Sequence, residues 1–141
     1  MSFNRFYVIS PLALVALSAC RSPYGSVNGV ISKGPLSNAL VFLDLDGDNV
    51  LDSNETSVRT DANGNFKIFS SASSYKIVAL TDDSTVDSSS GATLSGIMLT
   101  APQGAAVVSP TSTLMAEGGL TAEQVAEVLD QLIRFRYPSE R

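Results

Sequence analysis

The sequence predicts a mainly β domain, an antiparallel β-sandwich followed by one amphipathic helix. Three observations carry that expectation. Short apolar runs recur along residues 26–109, with Gly, Pro, Asn, Asp and Ser gathered between them, which is the pattern of short strands joined by tight turns. Near the C-terminus the apolar spacing changes to a helical period. The chain of 141 residues, 44% hydrophobic and 16% charged, has material for one modest domain.

The elements follow in order. "SVNGVIS" (26–32) reads as a first strand, and "KGPLSN" supplies a turn in which Pro35 owes no ladder donor. In "ALVFLDL" (39–45), Ala39, Val41, Leu43 and Leu45 share one face while Leu40 and Phe42 share the other. Apolar residues on both faces predict a central strand covered on both sides. "TSVRT" is a short strand, and Asn63-Gly64 within "DANG" signals a type I′ hairpin, whose two central residues both need positive φ. "NFKIF" returns from it, and "SYKIVAL" sets Tyr75, Ile77 and Ala79 against Lys76, Val78 and Leu80. "TDDSTVDSSSGA" reads as polar loop, with Asp82, Asp83 and Asp87 solvated. "SGIMLT" and "AAVVS" are further strand candidates.

The last segment, 110–141, is helical. "LTAEQVAEVLDQLIRF" carries Val125, Val128, Leu129, Leu132 and Ile133 at helical spacing. Thr121 and Gln124 form a capping box, and Leu120 is placed to staple onto Val125. "PTSTLM" before it reads as a first helical turn with Pro110 at its start, broken by Gly118-Gly119. The apolar stripe is expected to close one end of the sandwich. A membrane-surface role fits it less well, because its polar face is acidic.

Composition excludes several classes of function. A net charge of −5 is the wrong sign for nucleic acid. No histidine is present, which removes the usual general base and the commonest zinc ligand. The serines have no histidine beside them to act as a general base.

One stretch carries the chemistry. "DLDGDNVLDSNE", Asp44 to Glu55, places five acidic side chains in twelve residues, a density that a bound cation makes tolerable. Calcium takes six to eight hard oxygen ligands, and a twelve-residue EF-hand loop supplies them from positions one, three, five, seven, nine and twelve. Those positions here are Asp44, Asp46, Asp48, the carbonyl of Val50, Asp52 and Glu55, with Asn49 where the loop ordinarily has glycine. Asparagine tolerates the left-handed region next best. The flanks read as strands instead of helices. The loop is therefore expected to hold calcium between strands and to stiffen the fold. Asp61, Asn63 and Asn65 are more simply turn residues. An EF-hand-like calcium-responsive protein is an alternative, requiring a helix after Glu55. A carboxylate-dependent hydrolase is a weaker one, since its acids would have to face each other across a cleft. The leading expectation is non-catalytic.

The leader tells where such a domain would work. "MSFNRFYVISPLALVALSAC" has an apolar run from Phe6 to Ala19, 14 residues long, short of the roughly 20 that a spanning helix needs and fitting an export signal. Its last residues, Leu17-Ser18-Ala19-Cys20, resemble the lipobox of bacterial lipoprotein signal peptides. That resemblance implies a signal peptide over 1–19, cleavage before Cys20 and acylation of Cys20, the single cysteine, with 20–25 as a tether. Arg21 in the next position implies the outer membrane, facing the periplasm or the cell surface. The implied partner is the membrane, through Cys20. A protein or glycan partner, as in adhesion, is compatible but has no signature.

"KGPLSNALVFLDLDGDN" and "TDANGNFKI" together resemble a type of secreted bacterial module. It comprises the carboxypeptidase regulatory-like (transthyretin-like) domains and the calcium-binding B-type repeats of surface proteins. The resemblance covers about residues 26–100 and implies an Ig-like or transthyretin-like sandwich over 26–109. In the surface-protein repeats a similar loop after the second strand holds calcium, and Asp44, Asp46, Asp48, Asp52 and Glu55 match it. Such chains often continue into a "SPTSTL…GLT" segment and a helix, then into further domains, so this chain is expected to be a truncated or partial relative of them.

Overall fold

The computed structural model describes residues 24–136. The expected leader, Cys20 and most of the tether lie outside them. Among the described residues the chain is mainly β, in the order β1 (Gly25–Ile31), β2 (Leu36–Ser37), β3 (Leu40–Asp44), β4 (Ser57–Arg59), β5 (Asn65–Ser70), β6 (Lys76–Leu80), β7 (Val86–Asp87), β8 (Met98–Ala101) and β9 (Val107–Val108). Two helices follow, α1 (Pro110–Gly118) and α2 (Ala122–Arg136).

The strands form three sheets, β5-β1-β9, β4-β3-β6-β8 and the small pair β2-β7. Residues at two-residue spacing from the two larger sheets meet in one core. Ile31, Phe66, Ile68 and Val108 come from the first, and Val41, Leu43, Ile77, Ala79, Leu99 and Ala101 from the second. Each fully buried aliphatic side chain of this kind contributes about 1.5–3 kcal/mol. The two-faced pattern of β3 has the expected cause. Strand β3 lies between β4 and β6, and both Val41 on the core face and Phe42 on the other are fully buried. Helix α1 packs along β8 on that second side, where the Ser112 hydroxyl donates to the Thr100 carbonyl and Thr113 Oγ1 accepts from the Thr100 amide. Leu45, grouped with the core face in the sequence, lies beyond the end of β3 and is exposed.

Several local expectations are corrected. Asn63-Gly64 does not form a type I′ hairpin, because only Gly64 has positive φ (+80°). The turn spans Asp61–Gly64, with the Gly64 amide donating to the Asp61 carbonyl and the Asp61 amide to the Asn65 carbonyl. It carries the chain from one sheet to the other, since β4 pairs with β3 and β5 with β1. The Gly64 carbonyl accepts from the Ile31 amide, and a Cβ at Gly64 would stand 2.9 Å from the Ile31 carbonyl oxygen. Strand β9 runs parallel to β1, so the pairing is not uniformly antiparallel. "KGPLSN" and the polar loop "TDDSTVDSSSGA" each contain a short strand, and these pair as β2 and β7, with Thr85 fully buried beside them. Nor is Asp82 merely solvated: it is ion-paired to Arg59 at 2.7 Å.

The helices begin as the sequence indicates. Ser109 caps α1 with Pro110 at its first position, and Gly119, at φ +62°, ends it. Helix α1 runs to nine residues, more than the single turn expected. At α2 the Thr121 amide donates to Gln124 Oε1 and the Gln124 amide to Thr121 Oγ1, which is the capping box. The stripe of α2 does not close the sheets. Val125 is buried, whereas Val128, Leu129 and Leu132 are exposed. Helix α1 already occupies the side of the sheet available to it, and the reversal at Gly118-Gly119 sets α2 against α1.

Candidate metal centre

The acidic loop leaves β3 at Asp44 and returns at β4, so its two ends are fixed by neighbouring strands. Asp44 itself is buried at the end of β3. Its Oδ1 accepts from the Gly47 amide at 2.6 Å and its Oδ2 from the Asn49 amide at 3.0 Å. The loop therefore curls back over its own first carboxylate. Asn49 has φ +63°, the left-handed conformation that glycine ordinarily supplies at this sixth position. Asp48 donates its amide to Asp46 Oδ1, and Val50 donates its amide to Asp48 Oδ1. Glu55 closes the ring, with Oε1 accepting from the Leu45 amide at 2.7 Å and Oε2 from the Asp52 amide at 3.1 Å.

This winding brings carboxylate oxygens of Asp44, Asp46 and Asp48 within 4.8 Å of one another. Asp52 and Glu55, the other two expected carboxylate ligands, stand outside that group, and the side chain of Glu55 is engaged by two backbone amides. The Val50 side chain points into solvent, leaving its carbonyl as the group the loop pattern would use.

Electrostatics within the group are uneven. Burial pushes the Asp44 carboxyl up, but the amides of Gly47 and Asn49 and the charge of Lys76 outweigh it and hold it below the ordinary carboxylate value. At Asp46 the Asp48 amide pulls down, yet desolvation and the charges of Asp48, Asp44 and Asp52 carry the carboxyl above its ordinary value. Crowded negative charge thus goes uncompensated at Asp46, the open side of the group. Asp44, Asp46 and Asp48 together offer a group of carboxylate oxygens that could hold a metal ion.

Two residues near the loop were missed by sequence reading. Lys76 is the register partner of Asp44 across β3 and β6, and its Nζ lies 3.6 Å from Asp44 Oδ2. It also reaches Glu117 Oε1 at 3.1 Å, on the last turn of α1. Alternation alone put Lys76 on the face away from the core, and only the strand register shows which carboxylate it meets. Lys76, Tyr75, Ser74 and the loop residues Asp44–Gly47 line an open cleft of about 310 Å³. Asp61, expected as a turn residue, accepts from the amides of Asn63 and Asn65 and from the Asn65 side chain. That hydrogen bonding holds its carboxyl low.

Comparison with protein-family models, with curated proteins and with solved structures finds no match.

Proposed function

We propose that this chain is a non-catalytic, calcium-binding β-sandwich module of Ig-like or transthyretin-like type, lipid-anchored in a bacterial cell envelope through Cys20. The ion stiffens the fold in a structural or adhesion-type role. The observation that carries the metal reading is the convergence of Asp44, Asp46 and Asp48 on a loop fixed between two strands. Asp44, Asp46 and Asp48 hold the ion, and the Val50 carbonyl, Asp52 and Glu55 complete its oxygen shell. The lipid anchor rests on Leu17-Ser18-Ala19-Cys20. A strand, β4, follows Glu55 where an EF-hand sensor has a helix, which favours stiffening over a large calcium-driven opening.

Extracellular calcium modules bind at about 0.1–1 mM, and free calcium at 100 times the dissociation constant stabilises a fold by about 2.7 kcal/mol. The test is a calorimetric calcium titration of the full chain, with thermal melting in calcium and in chelator. The expected result is saturable binding and a melting point higher by several degrees, with unchanged secondary structure and with both effects lost in Asp46→Ala. A melting point indifferent to chelator overturns the proposal.

A further inference from the structure

We propose that Lys76 is a resident counter-ion that competes with the divalent cation for Asp44, and that Glu117 holds its ammonium when the cation binds. The inference rests on the metal reading above and adds a control element to it.

Lys76 Nζ stands between two carboxylates, 3.6 Å from Asp44 Oδ2 and 3.1 Å from Glu117 Oε1. The Asp44 side chain has no solvent exposure, so its charge needs a partner in the cation-free chain, and Lys76 is the cation within reach. A divalent ion on Asp44 would sit close to that ammonium, and like charges at such a distance in a partly buried site repel strongly. The ammonium has somewhere to go. Glu117 already accepts its hydrogen bond, and this contact is the first cause of the lowered Glu117 carboxyl.

A lysine ammonium has three donors to offer, so its hold on Glu117 does not depend on Asp44. Asp44, Lys76 and Glu117 thus link the loop to the end of α1, and Glu117 keeps the ammonium when Asp44 turns to the cation.

The test uses the full chain and its Lys76→Met, Glu117→Gln and double variants, read by calorimetric titration with calcium chloride and by thermal melting in chelator. Lys76→Met should bind calcium about tenfold more tightly, the scale of one removed like-charge contact. In chelator it should melt below the parent, because the buried Asp44 charge is left without a counter-charge; a role of Lys76 in packing alone would not reverse the sign between the two readouts. Glu117→Gln should bind calcium more weakly, since Lys76 then leans on Asp44 alone, and that loss should largely vanish in the double variant.

Unchanged or weaker calcium binding by Lys76→Met overturns the inference, as does a Glu117→Gln effect that simply adds in the double variant. A parent that takes no calcium while Lys76→Met binds it sinks the proposed function and supports the counter-ion. If neither chain binds, both fall.

Discussion

At Asn49 the chain adopts a left-handed conformation that disfavours ordinary side chains by about 1–2 kcal/mol. Its buried Oδ1 lacks a hydrogen-bond partner as well. Replacing it should therefore help the cation-free chain. Asn49→Gly is expected to raise unfolding stability in chelator by about 0.5–1 kcal/mol, measured by urea denaturation, and to leave calcium binding in place. A loss of stability would show that the asparagine side chain makes contacts worth more than the strain. The sequence told of this residue by elimination, since position six of the loop needs positive φ and asparagine is the second-best residue to supply it. Lys76 carried no comparable signal. Its partner is set by a register that pairs β3 with β6 across 32 residues of chain, and nothing local encodes that pairing.

Among the elements, the Asp61–Gly64 turn has the largest structural consequence. It transfers the chain between sheets, and Gly64 is pressed against the backbone of Ile31 and Leu36 while holding φ +80°. Gly64→Ala combines strain with a close contact. It should destabilise the protein by about 2 kcal/mol or more in denaturant unfolding, whereas Ala at Gly47, also at positive φ but with open space around it, should cost less. Strand positions were legible because alternation survives in each: Phe66 and Ile68 buried around exposed Lys67, Ile77 and Ala79 facing the core. Pairing was less legible. Asn63-Gly64 has the chemistry of a hairpin, yet Gly29 lies opposite Phe66 and lets the aromatic ring cover β1, which draws β5 onto β1 and away from β4. Strand β7 is only two residues long inside a Ser-rich segment, too brief for a periodic signal. Helix α2 showed the converse limit. Its cap and stripe were plain in the sequence, while its packing was decided by α1 having covered the sheet first.

For the molecule as a whole, the carboxylates set the response to acid. Asp44, Asp61, Asp82 and Asp87 have folded pKa values below their ordinary 3.8, and Glu117 and Glu123 below 4.5. At Asp82 the leading cause is the Arg59 guanidinium, followed by Ser84. Each such group binds its proton less tightly folded than unfolded, so its stabilisation is present above those values and is lost as pH falls through the folded ones. Asp46, raised, works in the opposite sense. Six groups against one give a net loss. Urea midpoints should fall between about pH 5 and about pH 3. Asp46→Asn should raise the midpoint at neutral pH in chelator while weakening calcium binding. Flat midpoints across that range would refute the acid-lability.

Strand β1 begins at Gly25, five residues past Cys20, and lies beside β9 with both running the same way. The Val30 amide donates to the Ala106 carbonyl and the Ser32 amide to the Val108 carbonyl. A chain held at the start of β1 and tugged from its helical end would pull these two neighbours in opposite directions along their length. Their bonds would then be loaded together in shear, and could not be peeled open one at a time. A domain wired in this way would resist extension between its two ends.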